Sequence, residues 1–242
     1  LARRDVLGIA QTGTGKTAAF TLPMLTLLET GRARARMPRT LILEPTRELA
    51  AQVEENFERY GTNHKLNVAL IIGGVSFADQ DAKLTRGTDV LIATPGRLLD
   101  HFERGKLLLT GVELLVIDEA DRMLDMGFIP DIERIVKMVP FTRQTLFFSA
   151  TMPKNIAGLA EQYLSEPVQV AVTPVATTAE RVDQSVIFVP TGAKQALLAH
   201  ILRAPAIERV LVFTRTKHGA DRVVPGLDKA GIAGDAIHGH KS

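Results

Sequence analysis

Short apolar runs alternate with amphipathic stretches along most of the chain. The runs lie at 5–10, 40–44, 68–72, 89–93, 114–117 and 145–148, and each ends in a turn-forming or polar cluster. Continuous apolar runs of this length predict strands buried on both faces. Apolar positions at helical spacing follow several of them, at 16–28, 47–60 and 156–164. Buried strands separated by helices predict an α/β fold, a parallel sheet with helices on both faces. Such sheets place ligands at the carboxyl ends of their strands.

The pattern changes at 171–185, which is small, polar and carries Pro174. This predicts an interdomain linker between a first domain at 1–170 and a second at 186–242. In the second domain, strands are expected at 186–189, 209–213 and 233–237, with helices at 193–202 and 217–230. The chain stops just after the third expected strand, so the second domain is expected to be only a beginning. The first residue is Leu1 rather than Met, and a truncated start is expected as well.

Composition narrows the classes. The hydrophobic fraction is 45% and the charged fraction 23%, as in an ordinary globular chain and unlike a wholly disordered one. Cysteine is absent, so there is no disulfide framework and no thiolate metal site, which fits a reducing, cytoplasmic setting. No apolar stretch approaches the roughly 18 residues of a membrane span, and the start has no signal-peptide core. The net charge of +2 allows a nucleic-acid partner only if basic residues share a face. With 5% aromatics and no Trp, contacts to a phosphate backbone are expected over base stacking. The arginine-rich stretch at 32–39 reads as a solvated loop.

The strongest chemical signal is Ala10-Gln11-Thr12-Gly13-Thr14-Gly15-Lys16-Thr17. It follows an expected strand and opens an expected helix, the context of a phosphate-binding loop. Glycines let the backbone curl its N–H groups inward, and the helix N-terminus adds partial positive charge. Lys16 then reaches the β- and γ-phosphates, and the Thr17 hydroxyl can ligate Mg²⁺. The general pattern asks for Gly where Ala10 stands. Leu114 to Ile117 lead into Asp118-Glu119-Ala120-Asp121 at a second strand end. There Asp118 can hold Mg²⁺ through water, and Glu119 can orient or deprotonate an attacking water. An acidic helix start is the plainer alternative. No Asn-Lys-x-Asp guanine reader and no arginine-bearing kinase lid is found, which leaves ATP-driven machines.

Asp118-Glu119-Ala120-Asp121 spells the name of the DEAD-box RNA helicase family, and the phosphate loop resembles that family's version, in which Ala stands first. Further matches follow in the family's order: Pro45-Thr46-Arg47-Glu48-Leu49-Ala50, Gly73-Gly74, Thr94-Pro95-Gly96-Arg97 and Ser149-Ala150-Thr151. Then come Val212-Phe213-Thr214-Arg215-Thr216-Lys217 and Ile237-His238-Gly239. The wording is most similar to bacterial members of the RhlE type. By themselves, Thr94–Arg97 could be a turn before a helix, Pro45 a strand stop, Gly73-Gly74 a close-packing site and His238 a solvated turn residue.

The resemblance implies a RecA-like ATP-binding domain and the start of a second RecA-like lobe, with ATP and Mg²⁺ as cofactors. Lys16, Asp118 and Glu119 would carry catalysis. Pro45, Thr46, Arg47, Glu48, Gly74, Thr94, Pro95, Gly96 and Arg97 would line the RNA side of the first lobe, and Thr214, Arg215, Lys217, His238 and Gly239 that of the second. Such contacts read backbone and 2′-hydroxyl, not sequence. Ser149, Ala150 and Thr151 would couple ATP to unwinding, the Ser and Thr hydroxyls hydrogen-bonding to Asp121. The family's adenine-reading glutamine motif would lie before Leu1 and its arginine finger beyond Ser242, so this stretch alone is expected to bind ATP weakly and turn it over poorly. Ribosomal or RNA-decay proteins are the expected protein partners. Two rival classes are an ATP-gated RNA clamp without enzymatic work and a DNA-directed helicase of a sister family.

Overall fold

The computed structural model describes residues 2–11, 13–172, 183, 185–205 and 207–239. The chain divides into two compact units, 1–177 and 178–242.

The first unit is built on seven parallel strands: β1 (Val6–Ile9), β2 (Thr40–Leu43), β3 (Val68–Ile71), β4 (Val90–Ala93), β5 (Leu114–Ile117), β6 (Gln144–Ser149) and β7 (Val168–Ala171). Their order across the sheet is β3-β4-β2-β5-β6-β1-β7. Between them run α1 (Lys16–Leu28), α2 (Arg47–Tyr60), α3 (Phe77–Arg86), α4 (Pro95–Glu103), α5 (Ala120–Asp125), α6 (Ile129–Met138) and α7 (Lys154–Tyr163). Alternate residues of the central strands face opposite ways and found two cores. Ile42, Ile92, Val116 and Phe148 pack with Phe20 and Met24 of α1 and Val53 and Phe57 of α2. Leu41, Leu91, Leu115 and Phe147 pack with Leu98 of α4, Met123 of α5, Ile135 of α6 and Ile156 of α7. Covering both faces is why the strands read as unbroken apolar runs. Gly8 of β1 lets the ring of Phe148 lie against the backbone, where a Cβ would overlap it.

Two details depart from the sequence reading. β7 is an additional strand, exposed along its length and paired only with β1. Its sequence does alternate apolar Val168 and Val170 with other residues, a pattern the sequence reading did not take as a strand. Arg39, at the end of the arginine-rich stretch, is buried. It donates to the Leu28 carbonyl at 3.2 Å and pairs with Asp89 at 3.8 Å and Glu113 at 3.6 Å. The linker expected at 171–185 lies largely outside the described residues.

The second unit holds α8 (Lys194–Leu202) and α9 (Lys217–Lys229), tied by Arg203 donating to the Ala230 carbonyl at 2.8 Å. The strands expected at 186–189, 209–213 and 233–237 are not formed among its described residues. A strand needs a hydrogen-bonded neighbour and a covered face. Here Phe188, Leu211, Phe213 and Ile237 are exposed instead.

Candidate functional site

The carboxyl ends of β1, β2, β5 and β6 meet the start of α1. Backbone bonds extend the ladders past the strand tips: Ala10 donates to the Ser149 carbonyl at 3.1 Å, Glu44 to Ala93 at 3.0 Å, and Asp118 to Leu43 at 3.1 Å. After β1, Gly13 (φ 86°) and Gly15 (φ 91°) take left-handed conformations that side chains resist. The Thr14 hydroxyl closes this turn on the Gln11 carbonyl at 2.7 Å. Gly15 caps α1 without a side-chain bond, so the first amides of the helix are not claimed by a capping side chain. Thr12 lies outside the described residues.

A cavity of 260 Å³ opens here, lined by Gly13, Gly15, Lys16, Thr17, Glu44, Asp118 and Glu119, with Gln52 and Asn56 of α2 on its far wall. Larger hollows of 590 and 830 Å³ lie at the opposite ends of the strands, around Thr40, Leu114 and Arg143. Charged side chains line the larger one too, among them Arg4, Asp5, Glu133 and Arg143, but no glycine turn opens onto it. Lys16 is buried, with its Nζ 2.5 Å from Glu119 Oε1 and 3.5 Å from Asp118 Oδ1. Burial alone would lower the Lys16 pKa. The two carboxylates outweigh burial and raise it. Asp118 is pushed up by burial and by Glu119, against the pull of Lys16. The phosphate loop and the acidic box are not on adjacent strands, because β6 runs between them. Glu119 itself sits at φ 53° and ψ 46°, a left-handed conformation for a side-chain-bearing residue. Such strain costs roughly 1–3 kcal/mol and gathers at functional sites.

Sequence reasoning passed over Glu44. It is 1% exposed, its Oε1 has no hydrogen-bond partner, and its pKa stands well above the usual range. Burial is the main cause, and repulsion from Asp118 and Glu119 adds to it. Its only signal in the sequence is a charge closing an apolar run. The donors around this cavity are hard oxygens: the Thr17 hydroxyl, the Asp118 carboxylate and the orphaned Glu44 oxygen. That set fits magnesium, which binds through one or two carboxylates and phosphate oxygens and keeps several waters. Among the described residues no group of three or more His, Cys, Asp or Glu forms an all-protein metal cage.

β6 links this cavity to the acidic box. Asp121 Oδ2 accepts from the Thr151 amide at 2.9 Å and the Thr151 hydroxyl at 2.8 Å. Ser149 Oγ accepts from the Asp121 amide at 3.2 Å and donates to the Thr151 carbonyl at 2.8 Å. Ser149 therefore meets the Asp121 backbone rather than its carboxylate. Burial would raise the Asp121 pKa, but bonds from Thr151 and Ser149 hold it below the usual range. Ala150 lies between them at the end of β6.

The second cluster lies along the tips of β2, β3 and β4. Pro45 and Thr46 follow β2, and the Thr46 hydroxyl caps α2 by accepting from Leu49 at 3.3 Å. Glu48, in the first turn of α2, is exposed. Its carboxyl is held low chiefly by its own backbone amide and by Thr46. Arg47 reaches the Gly73 carbonyl at 3.5 Å, beside Gly74. Thr94 precedes α4, whose first residues are Pro95, Gly96 and Arg97. The Arg97 side chain is turned inward. It donates to Gln80 Oε1 at 3.0 Å and to the Val75 carbonyl at 2.5 Å, and stacks 3.3 Å from the Phe77 ring centre. Gln80 donates to the Ile72 carbonyl at 2.9 Å, and its Oε1 lies 2.8 Å from Nε2 of buried His101. His101 Nδ1 faces Asp81 at 3.0 Å, and burial holds the ring's pKa down against that carboxylate. The sequence reading missed Phe77, Gln80 and His101, which lie on helices it did not delimit.

In the second unit, Thr214, Arg215 and Lys217 sit at the start of α9, where the Thr216 hydroxyl accepts from Gly219 at 3.0 Å. His238, followed by Gly239, lies 3.1 Å from Asp221 of the same helix. These residues therefore share one end of the unit.

The DEAD/DEAH box helicase family model matches residues 1–159. The chain belongs to that family. It is 44% identical over 240 residues to the ATP-dependent RNA helicase DeaD of Mycobacterium tuberculosis, covering 99% of this chain and 42% of that protein. It is 42% identical to the DEAD-box ATP-dependent RNA helicase CshA of Geobacillus kaustophilus, covering 100% of this chain and 51% of that one. The chain thus spans about half the length of the curated relatives it matches. Among solved structures, a DEAD box protein from Methanococcus jannaschii aligns with a TM-score of 0.64 at 35% identity, over 99% of this chain and 63% of that one. The fold of the first unit is RecA-like α/β.

Proposed function

We propose that this protein couples ATP binding and hydrolysis to local unwinding of RNA duplexes or remodelling of ribonucleoprotein in the cytoplasm. The carrying observation is the convergence of Lys16, Asp118 and Glu119 on the cavity at the phosphate loop. The names of the relatives support the same reading.

In this reading the loop amides and Lys16 hold the triphosphate, and Thr17 and Asp118 hold magnesium. Magnesium, when bound, offsets phosphate charge and orients the terminal group. Lys16 pairs with Glu119 while no phosphate competes for it. A phosphate drawing Lys16 away leaves Glu119 to orient the attacking water. The network of Asp121, Ser149 and Thr151 is positioned to carry this change to the RNA side. There Thr46, Arg47, Thr94 and the amides at the start of α4 would contact phosphate and 2′-hydroxyl groups. Residues 186–242 are read as part of a second RecA-like lobe that contributes Thr214, Arg215, Lys217, His238 and Gly239 to the RNA.

Phosphate release with and without single-stranded RNA tests the reading. RNA is expected to stimulate turnover and DNA of the same sequence is not. Lys16→Ala and Glu119→Gln are expected to remove turnover and unwinding together. A Lys16→Ala protein that still hydrolyses ATP at the parent rate would overturn the assignment. Unwinding that survives Glu119→Gln would point to a clamp, and equal stimulation by DNA to a DNA-directed enzyme.

A further inference from the structure

We infer that Glu44 is a positioning residue for the magnesium–nucleotide complex, its buried Oε1 accepting a hydrogen bond from a water held by the cation. The inference rests on the reading of the cavity as a magnesium–nucleotide site. Glu44 stands at the tip of β2, next to the β5 tip that carries Asp118, and lines the same cavity as Lys16 and Thr17. The backbone fixes it there, since its amide donates to the Ala93 carbonyl at 3.0 Å.

A buried acceptor without a partner is costly, and an apolar residue at this strand tip would avoid that cost. The nearest cation does not serve it. Lys16 is held by Glu119 at 2.5 Å and Asp118 at 3.5 Å. On the far wall, Asn56 Nδ2 is committed to the Gln52 carbonyl at 2.7 Å. The Glu44 oxygen is therefore satisfied only when something enters the cavity. Magnesium gives up its waters reluctantly, so a carboxyl just beyond ligand range meets a coordinated water before it meets the ion. Partners of this kind orient the inner ligands. A carboxyl group offers an acceptor oxygen in either protonation state, so the role does not depend on its titration.

The test compares the protein with its Glu44→Gln and Glu44→Met variants. A fluorescent ADP analogue is bound at fixed concentration while magnesium is titrated, and its affinity is measured again in chelator. Glu44→Met is expected to shift the magnesium midpoint about tenfold upward, with Glu44→Gln staying within about twofold of the parent. Affinity in chelator is expected to be the same for all. An unshifted midpoint in Glu44→Met overturns the inference. So does an equal loss with and without magnesium, which is a packing effect, or a Gln variant as weak as the Met variant. A parent protein with no magnesium-dependent uptake defeats the reading of the cavity instead. Thermal unfolding without nucleotide accompanies each variant, and if Met prevents folding, Glu44→Ala carries the same comparison to the same two results.

Discussion

Glu44 also provides a stability prediction at the scale of a single side chain. Its pKa is raised in the fold, so as pH rises past the ordinary glutamate range the unfolded chain releases this proton before the folded chain does. Stability is then lost as pH rises from the ordinary glutamate range toward the raised folded value. Gln cannot ionise and removes this dependence. Glu44→Gln is expected to melt above the parent at about pH 7.5, with the gap narrowing toward about pH 4.5, as read by scanning fluorimetry. A gap that widens on acidification would contradict the raised pKa. Asp118 is shifted in the same direction and repels Glu44, so part of the gap reports their interaction. Lys16, Asp118 and Glu119 were legible from sequence because glycines and a strand end announce them. Glu44 was not, because what distinguishes it is burial without a partner, a property of the packed sheet. The left-handed backbone of Glu119 is equally silent in the sequence, since Glu carries no preference for it.

At the scale of elements, short cross-links decide which parts move together. Asp121 at the head of α5 and Thr151 after β6 share two bonds to one carboxylate oxygen. Thr151→Val removes the hydroxyl bond and leaves the amide bond, touching neither Lys16 nor Asp118. ATP turnover is expected to stay within about threefold of the parent while RNA unwinding falls by about tenfold or more, a loss of about 1.4 kcal/mol of coupling. A gel-based strand-separation assay beside phosphate release checks this, and equal losses in both would remove the coupling role. Gln80 is the corresponding hub on the face proposed to meet RNA, joining α3 to the Ile72 carbonyl, Arg97 and His101. Gln80→Leu is expected to cost about 1–3 kcal/mol in urea denaturation, because it strands buried partners. RNA affinity is expected to fall with it while affinity for nucleotide is kept. Helices α1 and α2 were legible because apolar residues recur along them after a strong strand. Helix α3 was not, since only Gln80 and Leu84 of its ten residues are buried and its hub is polar. Strand β7 escaped although Val168 and Val170 alternate along it, because the run is short and merges with the small residues that follow.

At the scale of the whole molecule, the chain divides at 177, within the stretch where apolar alternation gives way to small polar residues and proline. The expected strands after it were not formed, because apolar runs specify a strand only where a neighbour supplies the ladder, and sequence alone does not say whether one is in place. The Thr214–Lys217 and His238 groups nonetheless come together at α9. If both units grip RNA and the first holds ATP, the two ligands must favour a common state, and linkage fixes the size of their mutual effect. ATP is expected to tighten RNA binding by some factor between about 5 and 150, and RNA to tighten ATP binding by the same factor. Anisotropy of labelled RNA with and without a non-hydrolysable ATP analogue gives one side of the cycle, and titration of the analogue with and without RNA gives the other. If the RNA contacts are to phosphate, as proposed, both affinities for RNA should fall as salt rises, and their ratio far less. Arg47→Ala is then expected to weaken RNA binding and reduce the salt slope by about one, with little change for nucleotide alone. A factor of one on both sides of the cycle would mean that the two ligands favour no common state.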